Sequence, residues 1–147
     1  SFHTLLSCDI TGRGRALIVE PICLGRLAMG EAQVQGQISD RISITRDGAP
    51  LVEDAWRLSG DITAQMTQGA TGSGAAAMVS LTYIAPGAEA RLGPVRAHLP
   101  ATGGASLLAE DVLVLRLLAP SGYALRASLL PILDQLTGGE MPLCWRL

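Results

Sequence analysis

The stretch DVLVLRLLAPSGYALRASLLPILDQLTGG, residues 111–139, changes its periodicity half-way and sets how the rest of the chain is read. Up to Ala119 it is a near-continuous apolar run rich in Val and Leu, as a strand covered on both faces requires. After Pro120, the residues Tyr123, Ala127, Leu130 and Leu133 recur at helical spacing, with Ser121 placed to cap the start and Gly138 to end it. Pro131 lacks an amide hydrogen and its ring crowds the preceding turn, so a kink or two shorter helical pieces are expected there.

Working outward, AAAMVSLTYIAP (75–86) sets Met78, Ser80, Thr82 and Ile84 opposite Val79, Leu81 and Tyr83, again a strand buried on both sides. GAEARLGPVRAHL (87–99) carries Leu92, Val95 and Leu99 in helical register, and Gly93-Pro94 predicts that this weaker helix starts only in its second half. Nearer the beginning, residues 2–8 alternate, Gly12 and Gly14 punctuate, and RALIVEPIC (15–23) resumes, which predicts two strands joined by a tight turn. EAQVQGQI (31–38) puts Val34, Gly36 and Ile38 on one side and three Gln on the other. RISIT (41–45), Asp47-Gly48 and LVEDAWRL (51–58), with Val52, Trp56 and Leu58 in one phase, predict a hairpin. Six or seven short strands followed by late helices give the expected class. It is mainly β, a layered and predominantly antiparallel structure with one or two α-helices near the C-terminus.

The 147 residues suit one domain, 1–147, and 48% apolar against 16% charged content describes a core former rather than a disordered segment. All eleven cations are Arg, scattered without a run that would track a phosphate backbone, and the net charge is -2, so nucleic acid is not an expected partner. No apolar run approaches the ~20 residues of a membrane-spanning helix. SFHTLLSCDI has neither the basic start nor the apolar stretch of an export signal, and a cytoplasmic location is expected. Because the chain enters an alternating pattern directly at Ser1, it reads as part of something longer.

Catalytic chemistry finds little purchase. Hydroxyl or thiol nucleophiles need a base, and only His3 and His98 are available; neither Ser106 nor Ser121 sits in a G-x-S-x-G elbow. Cys8, Cys23 and Cys144 have no C-x-x-C spacing, and with His3 and His98 they form no pattern of metal ligands. QGATGSGAAAM (68–78) has three Gly in its loop but lacks the G-K-[ST] ending of a phosphate loop and precedes a strand rather than a helix. It reads as a flexible loop. A small β-rich ligand-binding domain or enzyme gripping an anionic group with this loop is the alternative reading. The least ordinary segment is LGRLAMGE (24–31), where small residues are framed by Arg26 and Glu31. In a continuous strand these two would lie on opposite pleats, so pairing them demands a bend or bulge at Gly30. Either a structural ion pair or a pair that binds a partner or lines a passage satisfies the pattern.

GRLAMGE, preceded by EPICL and followed by DRISITRDGAPLVEDAWRL, resembles the UreD (also called UreH) urease accessory proteins, as do LTYIAPGAEARL, GASLLAEDVLVLRLLAPSGYALRASLLPIL and the ending MPLCWRL with its Pro-x-x-Trp. The resemblance covers essentially the whole chain and corresponds to the C-terminal portion of family members, which are longer at the N-terminus. It implies a non-enzymatic scaffold that helps insert nickel into apo-urease, acting with UreF and, through it, the GTPase UreG. Nickel would be transient cargo, with no cofactor stably bound. It also implies strands wound in a helix-like stack, and it makes Arg26 and Glu31 candidates for partner binding or for lining a nickel passage.

Overall fold

Seven strands, four α-helices and one 3-10 turn make up the described residues of the computed structural model, 1–25 and 33–146. They fall into two units, residues 1–14 with 24–75 and residues 15–23 with 76–147.

In the first unit, strands Phe2–Ile10 (β1), Gln35–Arg46 (β3) and Ala49–Asp61 (β4) form a sheet in the order β1-β3-β4. Between β3 and β4 the chain turns at Asp47 (φ 50°) and Gly48 (φ 78°), two consecutive left-handed residues whose twist matches that of a hairpin. The expected hairpin is therefore present. The register slips between Ile44 and Thr45, leaving Leu51 as an extra residue in β4 beside Pro50. Two carboxylates tie the turn to the end of β1. Asp47 accepts from the Gly12 N–H at 3.0 and 3.2 Å, and Asp9 accepts from the Thr45 hydroxyl and, at 3.2 Å, from the Gly48 N–H. Ile42, Ile44, Val52 and Leu58 bury one face, together with Ile62 and Met66 of a short helix, Ile62–Thr67 (α1), that the periodicity did not announce.

The second unit holds Ala16–Cys23 (β2), Ala77–Ile84 (β5), Gly103–Ala109 (β6) and Val112–Ala119 (β7) in the order β2-β5-β7-β6, all antiparallel. The two strands expected on either side of Gly12 and Gly14 are present, but they enter different sheets. A 2.9 Å bond from the Gly14 N–H to the Thr11 carbonyl does close a turn, but β1 pairs with β3, in parallel, and β2 pairs with β5. Local turn chemistry reports only that the chain bends, whereas partners are chosen by the faces they bury, and Leu17 and Val19 of β2 pack against the core of the second unit. Central strand β5 is buried along its length except for half-exposed Tyr83, as its two-sided apolar pattern demands.

Helix Gly122–Thr137 (α3) closes this core. Ser121 caps it through a 3.1 Å bond from the Ala124 N–H, and Gly138, at φ 65°, ends it. Its buried stripe is Leu125, Leu129, Ile132, Leu133 and Leu136, which shares Leu133 with the expected stripe but excludes Tyr123, 85% exposed, and Ala127, which faces solvent. A helix this rich in Leu offers two apolar phases, and the core takes the one with more aliphatic area. Nor does Pro131 divide the helix, which runs as one element. Pro131 and Ala127 are both exposed, so the Ala127 carbonyl that Pro131 deprives of its partner lies where water can satisfy it. The weaker helix, Leu92–His98 (α2), starts earlier than expected, directly after the 3-10 turn Ala88–Arg91. Gly93 and Pro94 fall in its first turn, where amide hydrogens have no intrahelical acceptor and Pro costs little. A last short turn, Leu143–Arg146 (α4), follows Pro142.

Each unit carries one Trp, Trp56 in the first and Trp145 in the second, so the two can be unfolded under separate optical signals. With Trp145 as the reporter in a Trp56→Phe background, Leu129→Ala is expected to lower stability by about 2–5 kcal/mol in urea, and Tyr123→Ala by less than about 0.5 kcal/mol. Equal losses would place the helix in the other phase.

Candidate functional site

Arg26 and Glu31 both lie outside the described residues, as does Gly30, where a bend was expected. What the structure does describe is how the segment carrying them is held at its ends. Leu24 is buried at 7% exposure, and Gly25 follows at φ 85°, a left-handed conformation that disfavours any side chain. At the far end Val34 donates its N–H to the Thr63 hydroxyl at 2.8 Å, and its carbonyl accepts from the Ile62 N–H at 2.9 Å. The Gln33 amide reaches Asp61 at 3.4 Å, and Asp61 also caps α1 by accepting from the Ala64 N–H at 2.9 Å. Gln33 and Val34, just before β3, are thus bound to the N-terminus of α1. That helix is the element the sequence pattern missed, although Asp61 three residues before Ala64 was the available capping signal.

The Gly-rich loop does not present the amide cradle that an anion needs. The N–H groups of Thr71, Gly72 and Ser73 all converge on the Gln68 carbonyl at 3.1, 3.0 and 2.9 Å, and that of Gly74 bonds the Met66 carbonyl at 2.8 Å. Three donors are spent on the loop itself and the fourth on the end of α1. Gly72 is buried against Met66, where a β-carbon would stand 2.5 Å from the Met66 carbonyl oxygen and 2.9 Å from its α-carbon. The close approach selects glycine at position 72.

Of the residues weighed for nucleophilic chemistry, His3 meets a hydroxyl, at an exposed position on the sheet, and neither Ser106 nor Ser121 meets a base. The His3 Nδ1 lies 2.7 Å from the Ser39 hydroxyl, and exposed His98 ends α2. Ser121 is engaged as a helix cap, and Ser106 is exposed on β6. Cys8, Cys23 and Cys144 carry free thiols, and among the described residues no three His, Cys, Asp or Glu side chains cluster to hold a metal ion. No described helix is long and apolar enough to cross a membrane.

The register of the second sheet does assemble a polar rung. Glu20 of β2 stands opposite Ser80 of β5, which stands opposite Arg116 of β7, on a face otherwise built from residues such as Ile22, Met78 and Leu118. Ser80 is 5% exposed, and its hydroxyl has no hydrogen-bond partner among the described residues. Lone charges inside the apolar strands RALIVEPIC and DVLVLRLLAP were the sequence signal for this rung, but only the pairing shows that they share it. The Pro-x-x-Trp ending is anchored as well. The Arg126 guanidinium donates to the Trp145 carbonyl and lies 5.9 Å from the centre of its ring, a cation–π arrangement.

Exposed carboxylates in the first unit are tuned by hydroxyl donors. The Thr45 hydroxyl, helped by the Gly48 N–H, holds Asp9 below its ordinary pKa; the Ser43 hydroxyl does the same for Glu53, with Arg41 at 3.3 Å assisting. Both favour the charged form, so both contribute to folding only where the carboxylate is ionised.

Comparison with known proteins identifies the family. Residues 1–146 match the model of the UreD urease accessory protein family. A urease accessory protein UreD from Roseobacter denitrificans is 44% identical over 142 residues, which cover 97% of this chain and 52% of that protein. Its namesake from Ruegeria pomeroyi is 45% identical over 145 residues, 99% and 56% of the two chains, and that from Mesorhizobium japonicum is 36% identical over 151 residues, 100% and 54%. The chain belongs to the UreD family of urease accessory proteins. It spans about half the length of the curated relatives it matches. The family is one of accessory proteins, in agreement with the expectation that this chain is not an enzyme.

Two outcomes follow from the local geometry. Gly72→Ala is expected to destabilise the first unit by about 1–3 kcal/mol, read from Trp56 fluorescence in a Trp145→Phe background. Gly69→Ala, whose β-carbon meets nothing within 4 Å, should change stability by less than about 0.5 kcal/mol. For Asp9 the folded pKa lies below the unfolded one, so its contribution is complete above the ordinary carboxylate range and is lost as pH falls through the folded value. Asp9→Asn should therefore lower the first unit's stability near neutrality, where the contribution is complete, and flatten its fall as pH drops below the ordinary carboxylate range.

Proposed function

We propose that this chain is part of a non-enzymatic scaffold that takes part in inserting nickel into apo-urease, working in a complex with UreF and, through it, the GTPase UreG. The observation that carries this reading is identity of 44–45%, spread over 97–99% of the chain, with proteins named urease accessory protein UreD. In this reading nickel is cargo rather than a resident cofactor, and nucleotide hydrolysis belongs to the partner. The work is done in the cytoplasm, without nucleic acid or membrane as a partner.

Within that role Arg26 and Glu31 are the polar pair assigned to partner geometry or to lining the nickel's route. Support comes from their setting: a segment of small residues that leaves β2 through a left-handed glycine and is tied to the start of α1 by Val34. The anion-gripping alternative is not favoured, because the loop amides it requires are already bonded within the loop.

Co-purification of the full-length protein with UreF, UreG and apo-urease tests the reading directly, and a stable assembly that activates urease when nickel is added is the expected result. Failure of the full-length protein to join any of the three would overturn it. Glu31→Ala in the full-length protein is expected to lower urease activation in cells several-fold with the assembly intact. Unchanged activation with normal assembly would leave Glu31 a structural role only.

A further inference from the structure

We draw no further inference here: the strongest candidate, the cleft of about 190 Å3 that Leu17 and Val19 of β2, Leu133 and Thr137 of α3, and Met141 and Trp145 of the C-terminal segment line, carries nothing because nothing in the structure shows what covers it.

Discussion

The antiparallel pairing of Ala16–Cys23 with Ala77–Ile84 is the constraint on which the rest of the molecule depends. It joins strands separated by residues 24–76, so the larger part of the first unit, residues 24–75, is a single excursion of the chain out of the second and back. Closing a loop of that length costs chain entropy that grows only with the logarithm of its length, and an insertion large enough to bury its own core offsets the cost. The register Val19↔Leu81 places Leu17 and Val19 against the core that α3 completes, and it brings the Cys23 thiol against Gly122 at the start of that helix. A β-carbon at position 122 would stand 2.9 Å from that sulfur, so a larger residue there would require the exposed Cys23 side chain to shift.

The absence of Lys acquires a physical reading from the hydrogen bonds. Arg96 donates two N–H groups to the Ala105 carbonyl at 3.0 and 2.8 Å, Arg91 reaches the Gln135 carbonyl at 3.1 Å, and Arg126 reaches that of Trp145. These guanidinium groups act as forks on main-chain oxygens that helix ends and strand edges leave available, a task for which a planar five-donor group is better shaped than an ammonium. Arg91 in particular satisfies the last turn of α3, where the carbonyls lack amide partners and the helix dipole favours a cation. Stability of the second unit is thus distributed between an aliphatic core and a shell of Arg-to-backbone bonds.

The segment that carries Arg26 and Glu31 has a corresponding logic. Its functional reading rests on family membership, but its attachment points are physical. A glycine in a conformation other residues avoid begins it, and a hydroxyl and a main-chain pair from α1 receive its far end. The Gly-rich loop that competed for attention in the sequence is self-bonded, and its glycines serve a tight return of the chain under Met66. Glycine counts alone do not distinguish a loop that opens its amides to a ligand from one that folds them onto its own carbonyls.

By itself the sequence determined the predominance of strands, the hairpin at Asp47-Gly48, the two-sided burial of β5, and the Ser121 and Gly138 limits of α3, because each follows from side-chain period or from a residue's own backbone preference. Family membership was equally legible, since motifs spread along the chain carry it. Tertiary structure alone decided that β1 pairs in parallel with β3 rather than with β2, that α3 buries Leu125 and Leu129 in place of Tyr123, and that Glu20, Ser80 and Arg116 share one rung. These are choices between faces of similar apolar character, or between partners far apart in the chain. Local patterns are degenerate for such choices, and only the area buried in the assembled core separates the alternatives.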